Sequence, residues 1–292
     1  MPCRLTVTWK SLRTAGLLPT AKGIQGRTER MAQNILYVYC IVRQLPGADI
    51  VARYPDLVFI EAGSAYVAAK YVSPLEYSDA SMKLKLADEE WLDRNAREHL
   101  SVNVMIMAQQ TIIPFNFGTI FKSRESLSGF LGDYGRKLDE SFDALEGREE
   151  WAVKAYCNES FLLKNLHLES PAIAAIEQEI QAASPGKAYL LKKKKEAMSA
   201  SALEGVHQGH AKAVWGELAA LSKEHVLNRL IPEDVSGVDG RMIVNGVFLI
   251  ANTDVGAFIR TTEDLGERYR DAGVFLDVTG PWPPYDFVDI PY

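Results

Sequence analysis

Cysteine is scarce in this chain of 292 residues: Cys3, Cys40 and Cys157 are the full set, odd in number and far apart. That excludes a disulfide framework and fits a reducing compartment, the cytoplasm. Cys40 and Cys157 each lie in an apolar, strand-like run and are read as buried, inert thiols. Long apolar stretches are missing too. The nearest, "VNGVFLIA" at 244–251, falls far short of the ~20 residues needed to cross a bilayer. No glycine-rich phosphate loop, no dinucleotide-binding fingerprint and no G-x-S-x-G elbow occurs, so no catalytic signature stands out and no cofactor is implied.

The charge is unevenly spread. The net value is −6, yet residues 1–30 hold six basic side chains against one acid, Glu29. The remainder is therefore strongly acidic, which argues against nucleic acid or an anionic membrane as a partner. Residues 1–30 also lack the apolar core and cleavage site of a secretory signal. They are read as a disordered extension, or as sequence upstream of a true start at Met31.

What is present is a mixed α+β pattern in two domains, 31–147 and 148–292. In the first, "ILYVYCIV" (35–42), "DLVFIEA" (56–62) and "AYVAAKYVS" (65–73) read as strands, the last two joined by a tight turn at Gly63-Ser64. Leu92, Ala96, His99, Leu100, Asn103 and Met107 mark a helix over 88–110, with Asp88, Glu89 and Glu90 at its start. "IIPFNFGTIF" (112–121) reads as strand or extended loop, and 123–147 as an amphipathic helix stopped by Gly147.

In the second domain the order is legible as β-α-β-β-α-β. Strands are expected at 150–157, 226–231, 241–252 and 274–280. Helix is expected over about 170–224, broken near "SPGK" (184–187), and again over 254–273. That is the split-βαβ, ferredoxin-like order. Trp151, Val153, Ala155 and Cys157 should share one face of the first strand.

Several residues invite a functional reading. His207 and His210 are three apart on a helix and could share a metal, with His225 or Glu204 completing the set; packing or surface histidines are the preferred reading, and no metal is assigned. Lys192–Lys195 cannot form one stripe, because successive helical residues point about 100° apart; it is read as a solvated face. Asn158-Glu159-Ser160 matches a glycosylation sequon, discounted because nothing indicates secretion. Gly205 and Gly209, four apart in a helix, imply either close approach of another backbone or a break.

The chain closes on "GPWPPYDF" (280–287). Prolines and the residues before them are forced out of the helical region, so an extended, polyproline-like run is expected, with Trp282 and Tyr285 on one edge. Such a stiff segment docks at low entropic cost, on its own domain or on a partner, and the sequence leaves both open. The interaction candidates are Pro281, Trp282, Tyr285 and Phe287, with Phe115 and Phe117 from the central segment.

That ending resembles the C-terminal signature of the gas vesicle protein F/L family. "LYVYCIV" (36–42) resembles the family's opening strand, "IIPFNFGTIF" (112–121) its central segment and "EGREEWAVKAY" (146–156) its interdomain junction, in matching order over about 34–288. One departure is "FNFG", where Asn116 stands in place of an expected basic residue. The resemblance implies an α+β N-terminal domain followed by a modified ferredoxin-like C-terminal domain. It also implies a non-enzymatic minor component or assembly factor of the gas vesicle shell, whose partners are the major shell protein and other accessory gas vesicle proteins. The rival reading is a small-molecule-binding or metal-dependent enzyme or sensor on the ferredoxin-like domain.

Overall fold

A computed structural model describes residues 35–290; the basic segment 1–30 lies outside the described residues. The chain divides into two compact units, one ending at Leu138 and the other beginning at Asp139.

The first unit is built on β1 (Ile35–Val42), α1 (Ala48–Arg53), β2 (Val58–Ala62), β3 (Ala65–Val72), α2 (Asp79–Leu86), α3 (Glu89–Met107), β4 (Ile112–Pro114), β5 (Ile120–Phe121) and the start of α4 (Arg124–Leu145). Its antiparallel sheet runs β2-β3-β1-β4, with β5 also pairing to β1. β2 and β3 form the expected hairpin, with Gly63 at φ 63 in the turn. β1 is central and buried from Leu36 to Val42, which its aromatic and β-branched composition suits. Its register shifts between Val38 and Cys40, leaving Tyr39 as the extra residue of a bulge. The bulge switches the alternation, so that Tyr37, Tyr39, Cys40 and Val42 all join the cluster packed with Val102 and Ile106 of α3. α3 starts as its sequence dictates: the Asp88 carboxylate accepts hydrogen bonds from the amides of Glu90 and Trp91. α1 and α2 had no counterpart in the sequence reading.

The second unit contains the rest of α4, then β6 (Arg148–Cys157), α5 (Glu159–Glu169), α6 (Pro171–Ala182), α7 (Pro185–Leu221), β7 (Glu224–Leu227), α8 (Glu233–Ser236), β8 (Arg241–Ala251), α9 (Val255–Tyr269) and β9 (Val274–Trp282). The sheet is antiparallel in the order β7-β8-β6-β9. Numbered within the unit, its strands run 2-3-1-4, the ferredoxin-like arrangement expected from the order of elements. The modification lies in the first helical element, which comes in three pieces. Ser170 and Ser184 are both extended because a proline follows each, and Pro171 and Pro185 each open the next helix. α5 was not anticipated; its cap is Asn158 of the discounted sequon, whose Oδ1 accepts from the Phe161 amide at 2.9 Å.

Val153, Ala155 and Cys157 share the buried face of β6, with Trp151 packed against the same cluster, as alternation predicts. Facing them are Val214 and Leu218 of α7, Phe248 and Ile250 of β8, and Phe258 and Leu265 of α9. β7 is shorter than expected and begins earlier, at Glu224 instead of Val226. Beyond Leu227 the chain still follows β8 through the Asn228 amide to the Asn245 carbonyl, 2.7 Å, but the ladder ends there.

Candidate interaction surfaces

The C-terminal segment departs from the extended run expected of its prolines. β9 carries on through Gly280 to Trp282, which pairs with Glu150 on β6 across a register shift. A single 3-10 turn at Tyr285–Phe287 follows, in place of a polyproline helix. The cause is local. Gly280 adopts φ 150, and a Cβ there would stand 2.8 Å from the Trp151 ring, so only glycine allows the chain to lie this close.

Glu150 fastens the turn. The residue is 4% exposed, and its Oε2 accepts from the Asp286 amide at 3.1 Å. Burial pushes its pKa up to about 8, with the Asp286 amide pulling it down and the Asp286 charge adding to the rise. The tail therefore docks on its own sheet. Pro283 and Pro284 are buried, Trp282, Tyr285 and Phe287 are half-buried, and Pro281 is exposed. The Trp282 indole donates to Thr279 Oγ1 at 3.0 Å, which fixes the ring.

In the first unit, Phe115 is wholly buried, its ring against Phe121 and Phe130, so it has no surface to offer a partner in this fold. Phe117 is half-buried and meets Tyr37, Trp91 and His99 at ring separations of 6.3, 6.3 and 5.8 Å. Behind it lies a polar network that the sequence reading did not single out. His99 Nδ1 is 2.9 Å from the Tyr37 hydroxyl; Nε2 is 3.0 Å from the Phe115 carbonyl and 3.2 Å from Asn103. Tyr39 and Lys70 both donate to Glu98, at 3.1 and 2.9 Å. Burial draws the His99 pKa down to about 4, so the imidazole is neutral. Burial alone would raise Glu98, but Lys70 and Tyr39 together hold it below the usual carboxylate range. The signal was in the sequence: two polar residues, His99 and Asn103, interrupt the apolar stripe of α3.

The remaining candidates separate. His207 is buried with neither ring nitrogen hydrogen-bonded, and burial lowers its pKa. His210 turns to Glu169 on α5, 3.2 Å away. His225 sits on β7 against Ser222 and the Trp215 ring, while Glu204 pairs with Arg241 at 2.9 Å. Among the described residues no group of three His, Cys, Asp or Glu stands in position to hold a metal ion. Lys193 pairs with Glu196 and Lys195 with Glu177, while Lys192 and Lys194 are exposed. Gly205 and Gly209 lie in an unbroken α7, and a Cβ at either would meet nothing within 4 Å, so neither expected reason for them holds. Cys40 and Cys157 are buried free thiols; burial raises both, Cys157 to about 11. No helix among the described residues is long and apolar enough to cross a membrane.

Comparison with known proteins supplies what the geometry does not. The chain is 24% identical over 262 residues to gas vesicle protein L of a Streptomyces species, covering 88% of this chain and 94% of that protein. It is 25% identical over 267 residues to gas vesicle protein F1 of Halobacterium salinarum, covering 89% and 95%. Its fold resembles the crystal structure of the gas vesicle protein GvpF from Anabaena, with a TM-score of 0.62 at 19% identity, over 89% of this chain and all of that one. The family described as gas vesicle synthesis protein GvpL/GvpF matches residues 35–289. The chain belongs to that family.

Proposed function

We propose that this protein works in the cytoplasm without catalysis, helping to nucleate or build the gas vesicle shell by binding the major shell protein and other accessory gas vesicle proteins. The observation that carries this reading is the strapped tail. Trp282, Tyr285 and Phe287 are each half-buried on a sheet that holds them still, so they present aromatic surface with little left to order on binding. A shell subunit rich in apolar side chains is the partner such an edge suits. The edge need only contribute the anchor residues of a larger contact.

The test is co-purification of the tagged protein with the major shell protein. The comparison is a variant carrying Trp282→Ala, Tyr285→Ala and Phe287→Ala, with folding checked by circular dichroism. Capture should fall at least about tenfold in the folded variant, the effect of losing one anchor of ordinary strength. Undiminished capture would remove the tail from the recognition surface. Failure of the unaltered chain to capture the shell protein would overturn the reading itself.

A further inference from the structure

An open groove of about 730 Å³ runs along the first unit. Its walls are apolar: Ile35 at the head of β1, Tyr77 before α2, Met82 and Leu86 on α2, Phe117 between β4 and β5, and Ile120 at the start of β5. Met82 and Leu86 are four apart, so one face of a two-turn helix forms a side of the groove. Beside it, Leu75 is 84% exposed and Leu86 itself 48%. Apolar surface gathered this way on a polar exterior marks a place that another apolar group covers.

We infer that this groove receives an amphipathic helix of another protein, one that carries a carboxylate beside its apolar side chains. The volume suits a row of side chains at i, i+3/i+4 and i+7 from an incoming helix, the helix-in-groove mode. The charge requirement comes from Lys122. It is the one charged residue of the lining; it is exposed, has no ion pair among the described residues, and no carboxylate lines the groove to meet it. An apolar occupant with no acid would strip water from that ammonium without replacing the lost interaction, whereas a carboxylate would pair with it. The chain's own segment before Ile35 is a poor occupant, because its first thirty residues hold six basic side chains against one acid. It would bring like charge to Lys122. This inference concerns a surface other than the tail and does not depend on the identity of the shell partner.

The test uses two fluorescein-labelled amphipathic peptides of about 18 residues, long enough to hold a helix. Both have leucines on one face, with glutamates on the other face of one and lysines on the other face of the second. Fluorescence anisotropy with the full chain should show the glutamate peptide bound at least about tenfold more tightly. Lys122→Glu should reverse that preference. Leu86→Asp, at an exposed position that leaves the fold intact by circular dichroism, should weaken the glutamate peptide by a similar factor. Equal binding of the two peptides, no binding, or indifference to both substitutions would overturn the proposal. So would tighter binding by a chain beginning at Met31, since that outcome would give the groove to the protein's own N-terminal segment.

Discussion

His99 and His207 are buried helical histidines, one in each unit, and their surroundings are opposite. His99 on α3 has a partner at both nitrogens and is wrapped by the rings of Tyr37, Tyr39 and Phe117. His207 on α7 has a partner at neither. The first unit thus holds an imidazole partnered at both nitrogens inside an aromatic core. The second has an apolar core, with an unsatisfied imidazole and a carboxyl, Glu150, buried under the tail. The lesson is that burial alone does not say what a polar residue contributes; its partners decide the sign.

The sharpest way to separate the two units is pH, because Glu150 and His99 titrate in opposite senses. Glu150 has its folded pKa raised from 4.5 to about 8. Its neutral form is the one the fold accepts, so its contribution is complete below pH 4.5 and is lost as pH rises towards 8. The loss is roughly 5 kcal/mol. Glu150→Gln should remove that loss, which denaturant unfolding at pH 5 and pH 8.5 would register as a flatter profile. An unchanged profile would mean that Glu150 ionises freely in the folded state.

His99 acts the other way. Its pKa falls from 6.5 to about 4, so the unfolded chain binds the extra proton in that window. Its contribution is full above pH 6.5 and fades as pH drops through 4, by about 3 kcal/mol. His99→Leu should destabilise at pH 7 by about 3 kcal/mol through the broken hydrogen bonds. It should also erase the acid-side slope, which chemical denaturation at pH 4.5 and 7 would detect.

His207→Leu is the counterpart in the second unit. It exchanges an unpartnered imidazole for a hydrocarbon of similar size, so stability should rise by about 1 kcal/mol. A loss as large as that of His99→Leu would break the contrast between the two histidines. The smallest effect belongs to Gly205→Ala and Gly209→Ala. Each glycine is exposed within α7 with open space around it, so alanine should add up to about 1 kcal/mol in thermal unfolding.

Some of this architecture could be read from the chain because it is local. The run at 35–42 is β1 to the residue. Gly63, Gly147 and Gly273 end their elements in the left-handed region that few other residues enter. The split-βαβ order follows from the succession of strands and helices. Other features were not local. α5 was hidden because eleven residues with weak periodicity look like a loop unless the Asn158 cap is recognised. Tyr39 could not be seen as a bulge, since the bulge exists only against β3. Phe115 and Phe117, two residues apart in one motif, looked equivalent; packing buries the first and leaves the second at the wall of a groove.

The tail shows where the division falls. The sequence by itself determined the family, the order of elements and the stiffness of residues 280–287, because proline and glycine restrict the backbone wherever they occur. Only the tertiary structure decided that this stiff segment continues β9 and folds into a turn over Glu150. That outcome depends on a strand more than a hundred residues earlier offering a hydrogen-bond edge and a buried carboxyl at the right place. Backbone stiffness is written in neighbouring residues, whereas the partner of a stiff segment is chosen by contacts between residues far apart in the chain.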